Sequence, residues 1–317
     1  MGVFVEDWQA SYGSPYLVVP EETSAPDAAQ VAEDGGVLTS HDGTIPNLPR
    51  LAFVDGVRRV EASLYQVDDI TGGVARGVAG AHACGSVLVE DGVPPVYGPL
   101  QLTRHVIFGS GVNHALPPVH GGWAWQASSI AESDPEAPLR ELQNRMRRAE
   151  GELAATLCAE GWLTVVDGPV TYVRARDLPV VGYVKTHHRM LLPAPEHVRV
   201  PQLISVGQRT SLFAHGNRYS AYARIATPDV HSGPWSGVIR LELPQSAGLR
   251  QCAEQASVIT GLLPRFAGVR HRDPRAPQNL QPVGALEKHL RHLLGPSDYA
   301  TRAVRDAVAQ LRPAVPA

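Results

Sequence analysis

The chain has 317 residues, 44% of them hydrophobic and 19% charged, enough apolar material for a sizeable core in one elaborated domain or two modest ones. A net charge of −3 argues against a protein that coats nucleic acid over its whole surface, while leaving room for a local basic groove. Three scattered cysteines (Cys84, Cys158, Cys252) exclude a disulfide framework and a paired-cysteine zinc site, and no apolar run approaches the ~20 residues that cross a bilayer, so no membrane role and a cytoplasmic location are expected.

In chain order, Pro20–Gly36 is acidic and poor in large apolar groups, and reads as a surface segment. LAFVD (51–55) is a buried strand that runs into a turn at Gly56. Strand-like stretches follow around 85–91 and 102–109, then a long loop, 115–129, holding Trp123 and Trp125. A helix comes next, with Ser133 or Asp134 as cap and Gly161 as stop; Leu139, Leu142, Met146, Ala149, Leu153 and Leu157 form its apolar stripe. WLTVVDGP repeats the pattern of apolar strand, acid and Gly, and LPVVGYV (178–184) leads to Lys185. RYSAYARIATP and SGVIRLELP are strand-like, and helical patterns cover 246–262, 283–294 and 298–311. This order of elements predicts an α/β fold with a mixed sheet, flanking helices and C-terminal helical elaborations.

Asp55 and Asp167 carry the chemistry. A rigid, partly buried carboxylate at a strand end needs compensation, and a hard divalent cation supplies it through oxygen ligands. A third acid comes from the helix: at about 100° per residue, Glu150 and Glu152 flank the apolar stripe, and periodicity does not choose between them. Arg58, Arg59, Arg145, Arg147, Arg148, Arg174, Arg176 and Arg189 cluster around these motifs and are candidates for a nucleic-acid path, and Trp123 and Trp125 for base stacking. Of 28 basic residues only Lys185 and Lys288 are lysines, which singles out a compact ammonium just past the strand VVGYV.

Asp55 in FVDG, Glu150 in RMRRAEGEL, Asp167 in VVDGP and Lys185 in VVGYVK occur in the order found in the NurA nuclease family, and the chain resembles that family from about residue 50 to 295. IRLELP (239–244), with Arg240, is similar to its arginine-bearing strand, and RAPQNLQPVGALEKHL (275–290) falls where the family has a C-terminal active-site segment. The family spacing favours Glu150 over Glu152. The resemblance implies a single ribonuclease-H-like nuclease domain over 1–317, with 1–50 as an extension, 51–295 as the core and 296–317 as a C-terminal helix. It implies metal ligation by Asp55, Glu150 and Asp167 and catalytic roles for these and Lys185, with Asn279 and Glu287 as further catalytic candidates; Arg58, Arg148, Arg174, Arg176 and Arg240 are the expected DNA contacts. Further implications are cleavage of DNA with Mn²⁺ or Mg²⁺, 5′-to-3′ exonuclease activity in end resection, a homodimer, and partnership with the hexameric HerA translocase. Two ions about 4 Å apart would activate water and stabilise the leaving oxygen. In the C-terminal segment, Asn279 and Glu287 stand where archaeal members have Tyr and His, and His289 is two residues out of register. Glu287 can still bind a cation or orient a water. A scaffold without catalytic activity, and a hydrolase of small phosphate esters, are the competing readings.

Overall fold

The computed structural model describes residues 2–5, 29–45, 47–68, 70, 72–173, 179–186, 190–228 and 232–311. Its strands are β1 (Gly2–Val5), β2 (Gln30–Val31), β3 (Ser40–Asp42), β4 (Leu51–Val67), β5 (Val74–Glu90), β6 (Val93–Phe108), β7 (Gln126–Ser129), β8 (Leu163–Asp167), β9 (Val180–Val184), β10 (Gln208–Thr210), β11 (Phe213–His215), β12 (Arg218–Arg224) and β13 (Val238–Pro244). Its α-helices are α1 (Ala137–Ala159), α2 (Ala194–Leu203), α3 (Leu249–Leu262), α4 (Gln281–Leu293) and α5 (Ser297–Gln310). The strands form one mixed sheet in the order β2-β11-β12-β13-β9-β8-β4-β5-β6-β7, with β1, β3 and β10 paired off this path. The chain is therefore α/β, as the pattern of elements predicts. Among the described residues no helix is long and apolar enough to cross a membrane.

The centre of the sheet is an antiparallel meander, β4-β5-β6, joined on its β4 side to β8 and then β9, both parallel. A two-residue Asp91-Gly92 turn, with Gly92 at φ 70°, closes the β5–β6 hairpin. β5 is rich in Ala and Gly (VARGVAGAHACGSVLVE), and this lets helices sit close on both of its faces. A methyl group on Gly80 would meet Leu142 of α1, and one on Gly85 would reach Leu286 and Leu290 of α4.

The two faces have separate cores. Leu51, Phe53 and Val57 of β4 and Val165 of β8 join the cluster formed with α3 and α4, whereas Ala52, Val54 and Val166 pack with Ala154, Leu157 and Cys158 of α1. This is the period-two alternation of a strand buried on both sides. By that alternation Asp55 and Asp167 belong to the α4 face and Gly56 to the α1 face.

Several elements differ from the sequence reading. The strand begun at LAFVD does not turn at Gly56: β4 continues to Val67, and Gly56 has no positive φ. β5 and β6 extend well beyond 85–91 and 102–109. The helix α1 starts two or three residues later than expected, with Asp134 Oδ1 accepting from the Glu136 N–H (3.0 Å). α2 was not expected, because PAPEHVRVPQL (193–203) contains three prolines; Pro193 and Pro195 lie at the helix start and only Pro201 is inside it. Residues 20–28 of the acidic segment lie outside the described residues; the rest of it contributes β2 and a 3-10 turn at Asp34–Gly36.

Candidate metal centre

β8 and β9 end side by side at Asp167 and Val184, and β4 runs past them. The resulting step at the sheet edge is a pocket of about 330 Å³ lined by Asp55, Glu150, Asp167, Lys185, Arg275 and Glu287, among others. It takes side chains from both faces. Asp55 and Asp167 meet Glu287 of α4, and a ligand oxygen from each of the three lies within 4.8 Å of the others. Glu150 comes from α1 on the opposite face, over Gly56.

Gly56 is required by that approach. A Cβ there would collide with Glu150 Oε1 and crowd the Met146 side chain, while the Gly56 N–H donates to the Glu150 carboxylate. Gly168, by contrast, does adopt the positive φ (114°) expected after Asp167. Helix geometry left Glu150 and Glu152 equivalent; packing separates them, since Glu150 is buried in the pocket and Glu152 is exposed. The ligand-distance cluster of Asp55, Asp167 and Glu287 differs from the expected trio of Asp55, Glu150 and Asp167, with Glu150 lining the same pocket from across the sheet.

Four carboxylates in so small a space, three of them buried and Asp167 half-buried, repel one another. Burial, then the charges of Asp167 and Glu150, holds the Asp55 carboxyl well above its ordinary range. Burial and Asp167 push Glu150 up to about 8. Asp167 is also raised by burial, an effect countered by Lys185. Lys185 Nζ donates to Asp167 Oδ2 (2.6 Å) and Asn279 Oδ1 (2.8 Å). Asn279 Nδ2 donates in turn to Asp273 Oδ2 (2.6 Å), and Arg275 grips both oxygens of Glu287 (2.9 and 2.7 Å). Tyr183 O–H donates to the Gln278 carbonyl (2.7 Å), tying this segment to β9. Two atoms remain unpartnered and buried: Asp55 Oδ2 and Asp167 Oδ1. Orphaned anionic oxygens in a carboxylate-lined pocket suit a hard divalent cation, so the donor set fits such an ion.

The expected site residues Asp55, Glu150, Asp167, Lys185, Asn279 and Glu287 thus come together. Arg275 and Asp273 were missed as members of the site: Arg275 only opens the C-terminal segment and Asp273 lies just ahead of it, and an Asp-Pro-Arg turn carries no sequence signal for a site role. Arg147 lines the pocket, Arg58 is hydrogen-bonded to Gln143, and Arg148 is exposed beside Glu141 (2.7 Å). Arg240, expected among the DNA contacts, is buried and donates to Glu242 Oε1 (2.7 Å), a carboxylate that Arg218 also engages (3.0 Å). Arg59 caps α4 by donating to the Leu294 carbonyl (2.8 Å). Arg145 donates to Ser128 (2.9 Å). Trp125 is buried and Trp123 lies under the Arg104 guanidinium (4.1 Å). His289 stacks on Tyr97, outside the acid pocket. Arg174, Arg176, His187, His188 and Arg189 lie outside the described residues.

No protein-family model matches the chain, and no curated protein is similar enough to it to count as a match.

Proposed function

We propose that the chain is a divalent-metal-dependent phosphodiesterase acting on DNA, a nuclease of the NurA type. The observation that carries this reading is the pocket itself: Asp55, Glu150, Asp167 and Glu287 converge there, two of their oxygens lack any partner, and Lys185 stands among them. The central strand order β6-β5-β4-β8-β9, antiparallel as far as β4 and parallel beyond, with α1 crossing from the meander to β8, supports a ribonuclease-H-like arrangement.

Asp55, Asp167 and Glu287, with Glu150 opposite them, are the residues that would hold Mn²⁺ or Mg²⁺. The ion would act there as a Lewis acid on the phosphoryl oxygens and lower the pKa of a bound water. The chain's own groups do the positioning. Lys185 is fixed between Asp167 and Asn279, its ammonium directed by two acceptors at a pocket where negative charge grows during phosphodiester cleavage. Arg275 holds Glu287 by both oxygens and so fixes the plane of that carboxylate. Glu287 brings a fourth acid to the site, which favours a working nuclease over a catalytically silent scaffold. A homodimer and a hexameric HerA-type translocase as partner belong to the same reading; light scattering, and cleavage of duplex ends with and without the translocase, test them.

The deciding experiment is degradation of 5′- and 3′-labelled single- and double-stranded DNA with Mn²⁺, with Mg²⁺ and with chelator. Metal-dependent loss of label, absent in Asp55→Asn and Asp167→Asn proteins that remain folded by circular dichroism, is the expected result. Wild-type rates in either variant would end the metal-site reading.

A further inference from the structure

A second and larger concavity, about 1040 Å³, lies behind the wall of the acid pocket, between the β5–β6 hairpin and the segment from Arg265 to the first turns of α4. Asn279 and Asp273 form that wall: Asn279 faces Lys185 with its oxygen and Asp273 with its nitrogen, so one hydrogen-bonded layer separates the two spaces. The floor is apolar, with Val87, Phe266, Val269 and Leu280. Tyr97 and His289 stack at one side, ring centroids 4.2 Å apart and planes within 11°, and the Tyr97 side is exposed.

The charge of this groove runs against the chain as a whole. Arg265, Arg272 and Lys288 line it and are exposed, and among the described residues none of the three makes an ion pair. The one acid in its lining, Asp273, is already engaged by Asn279 and Arg275. A chain of net charge −3 has thus left three uncompensated cations around one apolar groove. Apolar floor, open ring face and cationic rim together match a single-stranded nucleic acid, whose bases stack and whose phosphates seek Arg and Lys.

Resting on the nuclease reading, we propose that this groove binds the unpaired strand of the nucleic acid next to the cleavage pocket, with bases against the Tyr97–His289 pair and phosphates on Arg265, Arg272 and Lys288. A second copy of the chain would use the surface differently, and the test separates the two.

The probe is a fluorescent oligothymidylate, titrated in chelator over a range of salt concentrations. Arg272→Ala with Lys288→Ala is expected to weaken binding about tenfold and to lower the slope of log K against log salt by roughly 1.4, the share of two phosphate contacts. Tyr97→Ala should weaken it about tenfold with the slope unchanged. Both proteins should keep the wild-type Mn²⁺ isotherm and the wild-type rate on bis(p-nitrophenyl) phosphate, which needs only the acid pocket. Unchanged oligonucleotide affinity in both variants overturns the proposal, and so does a loss confined to self-association in light scattering. If the variants lose binding as expected but wild type cuts neither DNA nor the small diester with Mn²⁺, the groove stands and the catalytic reading falls.

Discussion

Lys185 satisfies two acceptors at once, Asp167 Oδ2 and Asn279 Oδ1, from a position one residue past β9. An ammonium can donate along both directions from a point, whereas a guanidinium spreads the same charge over a planar fork. Lys185→Arg is therefore expected to keep the charge and misplace it, lowering cleavage about 10²-fold while binding of single-stranded DNA changes little. Equal rates in wild type and Lys185→Arg would mean that charge alone suffices. Glu150 gives a second residue-scale expectation. Its carboxyl titrates near 8 in the folded chain against an ordinary 4.5. Between those pH values the folded chain keeps a proton that the unfolded chain has released, so in chelator stability is lost as pH rises from 4.5 through 8. Glu150→Gln should remove that part of the loss, narrowing the difference between denaturation midpoints at pH 5 and pH 8. An undiminished pH dependence in the variant would show that Glu150 is not held protonated.

At the scale of elements, what the sequence made legible was the pairing of strands with acids, and what it hid was where each strand ended. Asp-Gly after an apolar run signals a turn, and at Asp167–Gly168 the signal is true. At Asp55–Gly56 the glycine answers to Glu150 overhead instead, a contact 94 positions away that no local pattern contains. The continuation of β4 is likewise masked, because VRRVEASLYQV is only partly buried and lacks a clean alternation. β5 and β6 also hold an unexpected buried chain of polar groups. Arg145 Nη1 lies 3.1 Å from His105 Nδ1, and His105 Nε2 lies 3.2 Å from His82 Nδ1. Burial first, then neighbouring positive charge, lowers His82 to about 4 and His105 to about 3. From pH 6.5 down to about 4 the unfolded chain takes up protons that the folded chain refuses, so stability falls as the pH falls. For two protons the slope approaches about 2.7 kcal/mol per pH unit. Replacing both histidines by Gln should flatten the acid side of the stability curve relative to wild type, as measured by urea denaturation between pH 7 and 4. Parallel curves for the two proteins would mean that the pair is protonated in the fold.

At the scale of the whole molecule, the pocket is assembled from positions 55 to 287, on β4, α1, β8, the end of β9, the turn at 275–279 and α4. Most of these acids could be singled out one by one in the sequence; that Glu287 comes within ligand distance of Asp55 and Asp167 depends on α4 crossing the sheet face, with Leu286 and Leu290 packed near Gly85 of β5, and no local pattern contains that. The same dispersal has a thermodynamic consequence. In an unfolded chain these carboxylates are far apart and hydrated, so a divalent cation gains several ligands only from the fold. Binding confined to the folded state stabilises it by RT ln(1 + [L]/Kd), about 2.7 kcal/mol when the ion is at 100 times its Kd. The gain includes compensation for the burial, and relief of the mutual repulsion, that raise Asp55, Glu150 and Asp167 in the ion's absence. Mn²⁺ should therefore raise the Tm of the whole chain in a concentration-dependent way, and chelator should reverse it. Asp167→Asn should start from an equal or higher Tm in chelator, because one of the crowded charges is gone, and then respond little to Mn²⁺. A Tm in wild type that ignores Mn²⁺ at millimolar concentration, or one that rises equally in Asp167→Asn, would mean that the ion does not bind at these carboxylates.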